Sequence, residues 1–206
     1  MFGLNKNEVN TLKKLNTPKK IQDFLNKLKI NFEEKGETCM SPRMVLKTKK
    51  AHCIEGAMFA ALALRIQGEK PLLVDLRTTK DDFDHVLAVF KKNGRWGAIT
   101  KTNHAVLRYR EPVYKNIREL VMSYFHEYFL NKNGKKTLRD YSLPIDLSKF
   151  DKKGWTTDTK DLWYIDSHLD KVKHFSILDR KQIASLRKAD KIEIKAGKIV
   201  EWKKNR

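Results

Sequence analysis

Apolar positions along this chain change their period several times, and each change marks an element. Ile21, Phe24, Leu25, Leu28 and Ile30 recur at roughly helical spacing after Thr17-Pro18. That dipeptide joins a capping hydroxyl to a proline at the first helical position, so a helix is predicted over about 17–32. Residues 33–50 are polar and basic, hold Gly36 and Pro42, and read as a long loop. From 53 to 67 the chain turns apolar on every side, with Ile54, Ala57, Met58, Phe59, Ala60, Ala61, Leu62, Ala63 and Leu64. A helix of that pattern is buried nearly all round. Gly68 is its stop signal.

Short β-type runs follow at 71–76, 83–91 and 95–102. Asn93-Gly94 between the last two is a hairpin signal. Residues 105–109 read as a fourth strand. Pro112 opens a further helix, with Ile117, Leu120, Val121, Tyr124, Phe125 and Tyr128 at helical spacing. Residues 131–160 contain Gly134, Pro144 and Gly154 and look irregular. Short helices are predicted at 161–169 and 179–189. Residues 192–194 and 199–202 around Gly197 read as a terminal hairpin. The order defines an α+β fold, with a core domain over 1–130 and an extension over 131–206 packed on it.

Composition narrows the functional classes. The chain has 206 residues, 40% of them hydrophobic, enough for one domain with a real core and too many for disorder. Its net charge is +19. Such an excess favours polyanions: nucleic acid, anionic lipid heads or acidic proteins. The lysines spread along the whole chain, however, as on a solvated surface, and no helix-turn-helix, zinc-finger or RNA-recognition signature accompanies them. No apolar run reaches the length of a membrane span. The first residues lack the apolar core of a signal peptide, so a cytoplasmic setting with free thiols is expected. Cys39 and Cys53 have no CxxC or HxxxH partners, so neither a metal nor a cofactor is expected.

Candidate chemistry concentrates at Cys53, which opens the buried helix. A helix N-terminus favours a thiolate. His85 lies in the apolar run 83–90, where an imidazole can take the thiol proton or balance its charge. Each has a plain alternative: a small core cysteine and a satisfied core histidine. Cys39 reads as incidental. His52 adjoins Cys53, but sequence neighbours seldom point together. Glu55 in the first helical turn favours the dipole, and Asp84 alternates away from His85. The aromatic run 124–129 reads as core, with His126 at the surface. Arg108 and Arg110 share a strand face that either binds a substrate carboxylate or phosphate, or is simply solvated.

Cysteine on a buried helix, then a strand, then a histidine strand, an Asn-Gly hairpin and a tryptophan strand: this order resembles the transglutaminase-like superfamily. That group includes transglutaminases, peptide N-glycanases and bacterial proteins described as cysteine proteases. The matching stretch runs from about 41 to 103 and rests on Cys53, Gly56, Ala57, the Ala-rich helix, Gly68, His85 and Trp96. The resemblance implies a papain-like core and thiol-based acyl transfer on a peptide or protein substrate. Cys53 would be the nucleophile, His85 the proton carrier and Trp96, which by its own pattern reads as core packing, a neighbour of the substrate.

The chain departs from that group at one position. Where the group carries an aspartate that orients the histidine, Thr100 stands here, and 96–103 holds no carboxylate. Asn103 is the alternative, since an amide does this work in papain-like enzymes. A two-residue hairpin turn places His85 opposite Thr102, with Thr100 near it and Asn103 turned away; a three-residue turn brings Asn103 round instead. Without a charged helper, a second reading stays open: a catalytically degenerate relative that binds a peptide, protein or polyanion.

Overall fold

Asn93 and Gly94 both take positive φ, 50° and 75°. This is the backbone of a two-residue type I′ turn. It joins β4 (His85–Lys92) to β5 (Arg95–Ile99) and pairs Lys92 with Arg95. The first of the two registers is therefore the one adopted. The computed structural model describes residues 1–203.

The hairpin lies inside an antiparallel sheet. Its order is β6 (Arg110–Tyr114), β5, β4, β3 (Leu72–Arg77), β7 (Asp140–Ser142) and β9 (His174–Ser176), with the short β8 (Ile145–Asp146) also pairing β3. The fold is thus α+β. Residues from the 131–206 extension supply β7, β8 and β9 to the same sheet.

Both sheet faces are covered. Alternation sends Val86, Ala88 and Phe90 of β4 to one side, against the helix α4 (Cys53–Ile66). Leu87 and Val89 face the other way, toward α5 (Ile117–Phe125). Every residue of α4 from Ile54 to Leu64 is buried. It lies under α1 (Lys6–Lys14), α2 (Pro18–Lys27) and α3 (Pro42–Thr48), which the apolar pattern of α4 anticipates. Gly56 allows the closest approach: a Cβ there would sit 2.4 Å from the Lys101 Cβ. That contact seats the N-terminus of α4 against the chain leaving β5.

Several elements differ from the sequence expectation. The 33–50 loop contains α3, capped by Ser41 with Pro42 behind it, the same signal that starts α2. It also contains β2 (Lys50–Ala51), which pairs in parallel with β1 (Lys29–Ile30). α1 begins with a reciprocal Asn5/Glu8 cap. The strand expected at 105–109 falls instead at Arg110–Tyr114, because Leu107 takes a φ of 60°. Pro112 therefore sits in an edge strand, where no N–H is needed, and Asn116 rather than Pro112 starts α5. β4 begins at His85, leaving Phe83 89% exposed. The region 131–160 holds β7, β8 and a 3-10 helix (Leu147–Lys153).

Past it lie α6 (Trp163–Lys171), α7 (Arg180–Ala184) and α8 (Lys191–Gly197). The last replaces the expected terminal hairpin. Asp190 and Glu193 cap it, and Ile192 and Ile199, whose alternation resembled a strand, are exposed. Among the described residues no helix is long and apolar enough to cross a membrane.

Candidate active site

Cys53 is the first residue of α4 and is half-buried. The first-turn N–H groups of a helix have no preceding helical carbonyl to bond. His52, the cap residue, is extended (φ −100°, ψ −169°). This turns its ring back over the helix start, where Nδ1 lies 4.0 Å from the Cys53 Sγ. The other ring nitrogen, Nε2, lies 2.8 Å from the Thr38 carbonyl oxygen and 3.4 Å from a Glu55 carboxylate oxygen. Glu55 is fully buried. Its carboxylate accepts from the backbone N–H of His52 (2.9 Å) and of Met40 (3.0 Å), from the Thr38 hydroxyl (2.8 Å) and from the Asn31 amide (3.2 Å). The acid expected only to favour the helix dipole also ties the 31–40 loop to the cysteine.

His85 opens β4 and lines the same cleft as Cys53. Its Nε2 lies 2.5 Å from the Thr100 hydroxyl oxygen. Thr100 is pinned in turn by Gln22 of α2: the Thr100 N–H donates to Oε1 (3.0 Å), and the Gln22 amide donates to the Thr100 carbonyl (2.9 Å). Lys101, 1% exposed, donates from Nζ to the Leu25 and Leu28 carbonyls (3.0 and 2.6 Å), closing the C-terminal end of α2. Burial brings its amine down to about 8.

Cys53 and His85 share a cleft of about 270 Å³, with Lys101, Thr102, Tyr128 and Asn131 among its walls. Asp82, Asp84 and Glu127 also border it, and each carboxylate already accepts hydrogen bonds from the protein. The Tyr128 hydroxyl and the Asn131 Oδ1 are buried and have no partner among the described residues. Burial and then the charge on Cys53 push the Tyr128 phenol well above its ordinary value, so it remains a donor.

The charges divide unevenly. Burial alone would raise the Cys53 thiol, but hydrogen bonding and charge from His52 and His85 outweigh it and bring the thiol from 9.0 down to about 5. Burial opposes a charge on His52, yet the thiol and Glu55 carry that ring from 6.5 up to about 11. Glu55 stays below the usual carboxylate range despite its burial, chiefly because of His52. Near neutral pH the arrangement is a thiolate facing an imidazolium, a ready nucleophile.

The structure brings together Cys53, His85 and Thr100; Asn103 lines the same cleft, and Trp96, Arg108 and Arg110 lie outside it. Asn103 does not orient His85. Its amide donates to the Trp202 carbonyl (2.9 Å) and its Oδ1 accepts from the Trp202 N–H (2.8 Å), as the two-residue turn requires. Trp96 packs against the α5 side of the sheet, with Lys91 over its ring, and does not line the cleft. Arg108 donates to the His104 carbonyl and pairs with Glu201. Arg110 pairs with Glu127 at 2.6 Å and stacks on Tyr124. Both arginines hold the fold together rather than face the cleft. The expectation that His52 points away from Cys53 is overturned, because a cap residue folds over the first turn instead of alternating.

Tyr128 belongs by its spacing to the apolar helix after Pro112, and Gln22 falls inside the helix expected over 17–32 without a motif of its own. Gln22, polar on an otherwise apolar stripe, was the available signal. Among the described residues there is no group of three or more His, Cys, Asp or Glu placed to hold a metal. Both cysteines are free. No protein-family model matches the chain, and no curated protein matches it.

Proposed function

We propose that the protein is a thiol-dependent acyl-transfer enzyme, an amidase, peptidase or transamidase, on a papain-like core of the transglutaminase-like kind. One observation carries the reading: a cysteine at the start of a helix shares a cleft with a histidine whose Nε2 is held by the Thr100 hydroxyl. The Cys53 thiolate attacks an amide or ester carbonyl carbon, forming a C–S bond and an oxyanion to which the first-turn N–H groups of α4 can donate. Protonated His85 gives its proton to the leaving group as the C–N or C–O bond breaks. Neutral His85 then takes a proton from water, whose oxygen attacks the thioester and returns the thiolate. An amine in place of water gives transamidation. The unpaired Tyr128 hydroxyl supports the same cleft as a substrate site, because a bound carbonyl would remove a penalty of roughly 1–3 kcal/mol.

Incubation with p-nitrophenyl acetate tests this. Intact mass spectrometry is expected to find one acetyl group on Cys53, absent in Cys53→Ser and long-lived in His85→Gln. No acetylation of the wild type while its thiol is ionised would rule the reading out. Thr100 favours a second reading, a cleft that binds peptide without turnover, because a hydroxyl orients an imidazole less firmly than a carboxylate does.

A further inference from the structure

We propose that His52, not His85, is the standing counterion of the Cys53 thiolate, held in its charged form by Glu55, so that the site divides ionisation and proton transfer between two imidazoles. The tautomer follows from the partners. The Thr38 carbonyl only accepts, so the His52 Nε2 2.8 Å from it bears hydrogen. Nδ1 is then the basic atom of the ring, and it faces the sulfur at 4.0 Å. Ionisation needs no other reactant: the S–H bond breaks and an Nδ1–H bond forms, leaving a thiolate beside an imidazolium.

The surroundings hold the proton there. Carboxylate oxygens of Glu55 and Glu33 lie 3.4 and 3.6 Å from Nε2. Glu55 accepts from four protein donors, which stabilise its anion and disfavour its taking the ring proton. The other groups acting on the pair are His85 and Tyr128 from the cleft side and Asp166 of α6. Burial raises the Asp166 carboxyl, and the Cys53 charge raises it further while His52 lowers it. His85 is bound differently. Its Nε2 meets a threonine hydroxyl, which can donate or accept, so both protonation forms of the ring fit. That freedom suits the group that loses a proton to a leaving group and regains one from water. The assignment deepens the acyl-transfer reading only in giving His85 the moving proton; the ionisation itself does not require turnover.

The pH dependence of iodoacetamide alkylation at Cys53 tests it. In the wild type the rate is expected to rise with a midpoint near pH 5. His85→Gln should keep an acid midpoint, while His52→Gln should move it up by roughly two pH units or more, with Glu55→Gln shifting it the same way by less. An unchanged midpoint in His52→Gln, or the larger shift in His85→Gln, would overturn the assignment. Nitrogen-15 NMR of the wild-type imidazoles gives a second measurement that needs no variant: His52 doubly protonated at pH 7 is expected, and a neutral His52 contradicts it. If p-nitrophenyl acetate never acetylates Cys53 but His52→Gln shifts the alkylation midpoint, acyl transfer fails and this assignment stands.

Discussion

Cys39 and Cys53 lie fourteen residues apart, one acted on by the Glu55 carboxylate directly and the other through His52, and they are opposite in character. Cys39 is fully buried. Its backbone N–H donates to Asp161 and its carbonyl accepts from Leu162, so the chain there is fixed while the sulfur meets no imidazole. Burial, and then the charges of Asp166, Glu55 and Asp161, push that thiol far above its ordinary value. At Cys53 the same burial penalty is outweighed by two histidines. Glu55, which suppresses ionisation at Cys39, supports it at Cys53 by holding His52 charged, because there an imidazolium stands between sulfur and carboxylate. A charge relay of this kind reverses the sign of Glu55's effect.

The largest expected consequence is in labelling, and pH 5.5 is where to look. At pH 7 a thiol at about 5 has roughly a hundredfold more thiolate than one at 9, but its lower basicity removes most of that gain (Brønsted β about 0.4–0.5). At pH 5.5 the thiolate ratio exceeds about 10³ and a net advantage of some tens remains, before the inaccessibility of Cys39 is counted. Peptide mapping after iodoacetamide treatment at pH 5.5 should find Cys53 labelled and Cys39 untouched; equal labelling would erase the contrast.

Glu55→Ala should narrow the contrast and weaken the fold. It strips four donors of their acceptor and leaves His52 buried beside one carboxylate fewer, a loss of about 3–5 kcal/mol in urea unfolding. In whatever fraction stays folded, the Cys53 thiol rises and the Cys39 thiol falls. Gly56→Ala drives a methyl into Lys101 and should cost about 1–3 kcal/mol while loosening Thr100 from His85. Thr100→Val leaves the Cys53 alkylation profile in place but removes the partner of His85. A loss of about 1.4 kcal/mol there is tenfold in acetyl transfer to Cys53, read by single-turnover kinetics.

The smallest effect is an absence of pH dependence. Taken alone, raised His52 stabilises the fold fully below pH 6.5 and loses that contribution as pH climbs toward about 11. Taken alone, lowered Cys53 stabilises fully above pH 9.0 and loses its contribution as pH falls toward about 5. Between 6.5 and 9.0 the slopes are opposite and cancel, since folding only moves one proton from sulfur to nitrogen. Unfolding free energy relative to a His52→Gln/Cys53→Ser double variant should therefore be flat across that window and decline on either side. A slope inside it would mean that the pair does not share a proton.

How much of this was legible depends on the kind of signal. The buried helix, the Asn-Gly turn and the three central strands follow from local patterning, and the two-residue turn alone puts Thr100 beside His85 and Asn103 away from it. α3, α8 and the shift of the fourth strand to Arg110–Tyr114 rest on caps and on one positive φ at Leu107, which weigh little in an average over apolar residues. The expectation that sequence neighbours seldom point together turns attention from His52, and it fails at a helix cap. At a helix cap the side chain folds over the first turn, so the neighbour of the nucleophile becomes its partner. Gln22 reaches Thr100 across 78 residues of sequence, a contact no local pattern contains.

Acid titration of the thiolate's ultraviolet absorbance, wild type minus Cys53→Ser, reaches the central claim most directly. One thiolate should be present at neutral pH and disappear with a midpoint near pH 5. No difference signal below pH 7, or a transition near the ordinary thiol value of about 8.5, would show that Cys53 is not ionised in its cleft.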